Sequence, residues 1–159
     1  MEDKKKELIE MLHRLNISER YIIDRLLEEK GIYFGQPPIL HFLNQNPNAT
    51  QKEIADFLNV SPASVAVSVK RMEKSGIISR ATDKDDARRN NLSLTEKGKE
   101  LECFARQTFK TVDSAKLSNL SSEELEAMLA VIKKMNDNLM GLFPEKCKKH
   151  FKCKEEKDV

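Results

Sequence analysis

Apolar residues recur at mostly three- and four-residue steps along the start of the chain: Leu8, Met11, Leu12, Leu15, Ile22, Ile23 and Leu26. That is the period of one helix face, so a long amphipathic helix is predicted from Asp3 to about Glu29, with Gly31 placed to end it. A second apolar run, Ile39-Leu40-His41-Phe42-Leu43, follows Pro37 and Pro38 and stops at Asn44 to Asn48. Proline is tolerated in a helix's first turn, where the amide has no intrahelical partner, so this run reads as a short helix.

Thr50-Gln51-Lys52-Glu53 has the form of a capping box, and Ile54, Ala55 and Leu58 give the helix it opens an apolar side. Asn59-Val60 reads as a tight turn. Ser61 followed by Pro62 then pairs a cap residue with proline at the first helical position, Val65, Val69 and Met72 form an inward stripe, and Gly76 supplies the exit. Two short helices joined in this way have the layout of a helix-turn-helix. Beyond it the period shortens. Ile77 to Arg80 and Asn91 to Leu94 are extended candidates separated by a polar stretch, which predicts a two-stranded hairpin leaning on the helices. Thr95 caps a helix carrying Leu101, Phe104, Ala105 and Val112. Ser121 and Glu124 form a second capping box, ahead of Leu125, Met128, Leu129, Ile132, Met135 and Leu139. From Pro144 the chain is rich in Lys and Glu. The predicted fold is mainly α with a small β-hairpin wing.

Length changes the picture little: 159 residues suit about one domain. No run approaches the roughly 18 apolar residues of a membrane-spanning helix, and the first thirty residues carry eight acids where a signal peptide needs an apolar stretch. A soluble, cytoplasmic protein with no membrane partner is expected. Three cysteines do not make a disulfide framework. The net charge of +2 says less than its distribution, because residues 61–92 hold seven basic side chains against four acidic ones. Such an excess matters if those residues share a face.

The helix from Pro62 brings that question to particular residues. With Val65, Val69 and Met72 inward, Ser61, Ser64, Ser68 and Arg71 fall together on another side, flanked by Ala63 and Val67. Small hydroxyls allow close approach and can bond phosphates or base edges, and Arg71 can bind phosphate or a guanine edge, so this side fits a DNA major groove. The alternative is an ordinary solvated helix face. In the hairpin tip, Asp86 stands two residues before Arg88 and can fix its guanidinium through a charge-assisted bond, which suits insertion into a narrow minor groove. Arg89 is then a phosphate contact. Here the alternative is a solvated turn with an incidental ion pair.

These stretches together resemble the MarR family of winged helix-turn-helix transcriptional regulators. The resemblance rests on Lys52-Glu53-Ile54-Ala55 after Thr50, on Val60-Ser61, on Arg71 to Arg80, and on Asp86-Ala87-Arg88 followed by Leu92 to Gly98; the flanking helices also keep the family's order over residues 5 to 142. It implies a homodimer whose first and last two helices form the dimerisation region. The chain then divides into 1–34, an N-terminal dimerisation helix; 35–94, the DNA-binding region; 95–143, the C-terminal dimerisation helices; and 144–159, a charged tail. The resemblance also implies a ligand-responsive repressor that reads a pseudo-palindromic site on double-stranded DNA. A small-molecule effector would enter a cleft lined from the first, second and fifth helices, with His13, Tyr33, His41 and Phe104 as possible contributors.

Peroxide-sensing relatives use a cysteine in the first helix, and this chain has none before Cys103, which is expected to be a packed small hydrophobe. Cys147, His150 and Cys153 share a helical spacing that suits zinc, but three ligands among lysines more simply form an exposed basic tail. No cofactor is expected. No His-Glu-x-x-His pattern, phosphate-binding glycine loop or serine elbow is present, so the chain reads as a non-enzyme. The competing functional readings are a winged-helix module for protein contact without DNA readout, and a metal-responsive or activating regulator of the same fold.

Overall fold

The computed structural model describes residues 1–82 and 90–142. They fall into two units, which meet at Lys116 and Leu117. The first begins with α1 (Glu2–Glu28), α2 (Gln36–Gln45), α3 (Gln51–Leu58) and α4 (Pro62–Lys74), continues through β1 (Ile78–Thr82) and β2 (Asn90–Leu94), and ends with α5 (Glu96–Lys116). The second contains α6 (Ser122–Met140).

Local chemistry places most of these boundaries. Gly31 turns the chain out of α1 at φ 73°, and Gly35 precedes the Pro37-Pro38 first turn of α2 at φ 85°. At α3, the Thr50 side chain accepts from the Glu53 amide at 3.3 Å while the Glu53 carboxylate accepts from the Thr50 amide at 2.7 Å. Asn59 closes the helix in the left-handed region at φ 54°, and Ser61 accepts from the Ser64 amide to open α4. Ser121 and Glu124 build the same reciprocal cap at α6.

The core of the first unit gathers Leu27, Ile39, Leu40, Leu43, Ile54, Val65, Val69, Met72, Ile77, Ile78 and Leu92, all nearly inaccessible to solvent. α3 packs on α4, α2 on α5, and α1 on α5. The hairpin is antiparallel, with Ile78 opposite Leu94 and Arg80 opposite Leu92. Its strands run further than the apolar pattern indicates, taking in Ala81, Thr82 and Asn90, because backbone pairing continues after the apolar side chains stop. An isolated bridge from Ala49 to Leu92 ties the segment before α3 to β2.

α6 has no buried residue, and Leu125, Met128, Leu129, Ile132 and Leu139 are exposed in the single chain. On α1, Leu8, Met11, Leu15 and Ile22 are exposed as well. Among the described residues no helix is long and apolar enough to cross a membrane.

Candidate nucleic-acid interface

α4 rises about 20 Å over its 13 residues. Val65, Val69 and Met72 anchor one side of it in the core, which leaves the opposite side to solvent. On that side Ser61, Ala63, Ser64, Val67 and Arg71 are exposed and Ser68 is half-buried. Two of the hydroxyls are already engaged locally: Ser61 Oγ lies 2.8 Å from Ser64 Oγ while Ser61 also caps the helix. At the far end Ser75 donates to the Arg71 carbonyl at 3.0 Å, and the Arg71 side chain lines a shallow cavity of about 300 Å³ with Tyr33, Phe34, Gln36 and Ser68. Among the described residues Arg71 carries no ion pair, so its guanidinium remains available to an anion.

The turn after α4 is held from the start of α5. Thr95 Oγ1 donates to the carbonyls of Gly76 at 2.7 Å and Ile77 at 3.1 Å, and accepts from the Gly98 amide at 3.1 Å. Lys97 Nζ donates to the Ser75 carbonyl at 2.8 Å. The hairpin root is therefore tied to α4 and α5 together. Asp86, Arg88 and Arg89 lie outside the described residues, as do Cys147, His150 and Cys153. Among the described residues no group of three His, Cys, Asp or Glu side chains could hold a metal.

Among the described residues, His41 and Tyr33 line two different cavities. His41 lines a cavity of about 340 Å³ between α2 and α5, walled by Pro37, Pro38, Ala105 and Phe109. Tyr33 lines the cavity beside Arg71, whereas His13 is exposed on α1 and Phe104 is half-buried with Lys30 Nζ 5.7 Å from its ring. A further cavity of about 490 Å³ lies between α1 and the start of α2, lined by Arg20, Ile23, Leu27, Phe34, Pro37 and Phe109.

The expectation for Cys103 is overturned, because its side chain is exposed. The inward face of α5 runs through Gly98, Glu102, Ala105, Thr108 and Val112, and one residue's step around the helix carries Cys103 off it. Glu102 takes the inward place and is 4% exposed, with His41 Nδ1 at 3.7 Å and Arg106 Nε at 3.6 Å. The spacing from Ala105 and Val112 was the available signal for that buried acid. A second pair, Glu73 with Arg80, was not legible in the sequence, since seven residues and a change of secondary structure separate its members.

A sequence profile described as the MarR family matches residues 30–89, which take in α2, the helix-turn-helix and β1. The solved structure of MepR, a transcription regulator of the Staphylococcus aureus multidrug efflux pump MepA, is 28% identical, covers 81% of this chain and 96% of its own, and superposes with a TM-score of 0.70. Over residues 30–89 this chain is similar to the MarR family. The MarR architecture, mainly helical with a small antiparallel wing, extends to other solved structures. The YusO protein from Bacillus subtilis, 23% identical, shares the fold with a TM-score of 0.75 over 86% of this chain and 97% of its own. S. aureus MepR in complex with DNA, 28% identical, aligns over 80% of this chain and 95% of its own with a TM-score of 0.66.

Proposed function

We propose that this chain is a sequence-specific, double-stranded DNA-binding regulator of transcription that acts as a homodimer. The observation that carries the reading is the division of α4 into a buried apolar stripe and an exposed side of small residues ending in Arg71, which carries no ion pair among the described residues. A helix of this length with short side chains can enter a major groove about 12 Å wide. The match of residues 30–89 to the MarR family profile and the similarity to a relative solved in complex with DNA support the same reading. In it, Ser61, Ala63, Ser64, Val67, Ser68 and Arg71 meet the major groove, Arg88 enters the adjacent minor groove with Asp86 orienting it, and Arg89 touches phosphate.

The exposed leucines, isoleucines and methionines of α1, and separately those of α6, supply apolar surfaces for a second copy, and a two-fold axis between copies would give a pseudo-palindromic site with half-sites about 34–36 Å apart. A small-molecule effector would enter beside Pro37 and Pro38, which line cavities of about 490 and 340 Å³, and its binding would release the operator of a repressor. Selection of bound fragments from random duplex DNA by the purified protein tests the reading. The expected result is an inverted repeat; recovery of no preferred sequence would refute sequence-specific binding.

A further inference from the structure

Seven basic residues lie within 61–92, and charge alone would make each of them a phosphate contact. Arg80 is placed differently. It is the third residue of β1 and stands opposite the fully buried Leu92, so the strand pleat puts its side chain on the same face as buried Ile78. From that face Arg80 Nε donates to Glu73 Oε1 and Nη2 donates to Glu73 Oε2, each at 2.8 Å. Two parallel bonds between planar groups fix direction as well as distance. Glu73 lies four residues beyond Val69 and eight beyond Val65, so it extends the inward stripe of α4 and not the Ser61, Ser64, Ser68 and Arg71 side. Both side chains are about two-thirds covered, at 27% and 32% exposure.

The Arg80 hydrogen bonds hold the Glu73 carboxyl below its ordinary range, and those same bonds raise Arg80, with burial opposing both shifts. The pair joins the hairpin to α4 three residues beyond Ile77, the end of the root that Thr95 and Lys97 secure. A two-stranded hairpin is marginal alone, and each further residue adds about 3.3 Å of lever. A small swing at Arg80 therefore moves groups farther along the hairpin by ångströms.

We propose that Glu73 and Arg80 are positioning residues that set the angle between hairpin and recognition helix, so that both can meet their grooves on one duplex. Arg80 is then not a phosphate contact. The inference rests on the DNA-binding reading above, and it reverses a sign that electrostatics would assign. Glu73→Gln removes a negative charge near DNA, which by charge alone should tighten binding; a lost clamp instead weakens it, by roughly tenfold at fixed salt if about one charge-assisted bond is given up. Arg80→Lys keeps the charge and loses the fork, so it should weaken binding similarly, whereas a phosphate contact would tolerate it. Arg80→Ala should leave the slope of log affinity against log salt unchanged, whereas losing a phosphate contact lowers it by about 1.

The experiment titrates the full-length wild type and these variants against a selected duplex across salt, and follows amide hydrogen exchange at Ser79 to Thr82 without DNA. Faster exchange at those amides in Glu73→Gln and Arg80→Lys, with thermal midpoints near wild type and weakened binding, is the expected result. Tighter or equal binding by Glu73→Gln, or wild-type binding by Arg80→Lys, would overturn it. Unchanged exchange with wild-type DNA binding intact removes the clamp alone, and a wild type that binds no duplex removes the DNA reading together with the clamp's role in it.

Discussion

At Gly98 an added methyl group would run into the Ile77 carbonyl oxygen and approach Leu94 Cβ to 3.2 Å. Gly-to-Ala in a helix interior ordinarily gains up to about 1 kcal/mol. Here the obstacle is backbone that Thr95 also binds, so Gly98→Ala should lose about 1–3 kcal/mol, measured as a lower denaturant midpoint at constant slope. Arg71→Ala tests the other kind of residue, one committed to a partner rather than to the fold. Its exposed side chain contributes nothing to the core, so stability should hold while specific DNA affinity falls by about 1–3 kcal/mol if it reads a guanine. A loss uniform across sequences, with a salt slope reduced by about 1, would instead mark a phosphate contact.

For α4 as an element, Ser61 has two separable duties. It caps the helix through the Ser64 amide, and it stands at the end proposed to enter the groove. Aspartate caps as well as serine and suits the positive end of the helix dipole, but it brings a negative charge toward phosphates. Ser61→Asp should therefore melt within a few degrees of wild type and bind DNA more weakly, whereas Ser61→Ala should lose about 1 kcal/mol of stability. The tie between α4 and β1 has a pH dependence of definite sign. Because the folded Glu73 carboxyl lies below its ordinary value of 4.5, its contribution is full above that value and is lost as pH falls through the depressed one. Exchange protection at Ser79 to Thr82 should show an acid-side step in wild type that Glu73→Gln lacks.

At the scale of the molecule, the exposed apolar residues of α1 and α6 predict a dimer. Sedimentation at micromolar concentration should give about twice 18.3 kDa, and a stable folded monomer would count against the proposed interface. Removing residues 1–20 should cause aggregation or unfolding, because the cut takes Leu8, Met11 and Leu15 out of the proposed interface, leaving the apolar surface they would cover exposed, and removes the Glu19 carboxylate 2.8 Å from Lys116 on α5. For the wing, Arg88→Ala should weaken binding most on duplexes with A·T-rich flanks, and equal losses on G·C-rich flanks would reduce Arg88 to a phosphate contact.

Capping boxes, proline placement and three- or four-residue spacing act over one or two helical turns, and for that reason the helices, their order and the exposed side of α4 could be read from the sequence. Thr50, Ser61 and Ser121 each start a helix through atoms at most three residues away. The hairpin was legible in outline from its apolar positions, while its extra residues depended on backbone pairing across the strands. Decisions made across elements were different in kind. Packing of α2 on α5 chose Glu102 over Cys103 for the inward place, and the alignment of β1 with α4 joined Arg80 to Glu73. Periodicity reports which side of a helix is apolar, but not the partner that reaches a charged residue from another element, as His41 reaches Glu102 and Arg80 reaches Glu73, and those meetings exist only in the folded chain.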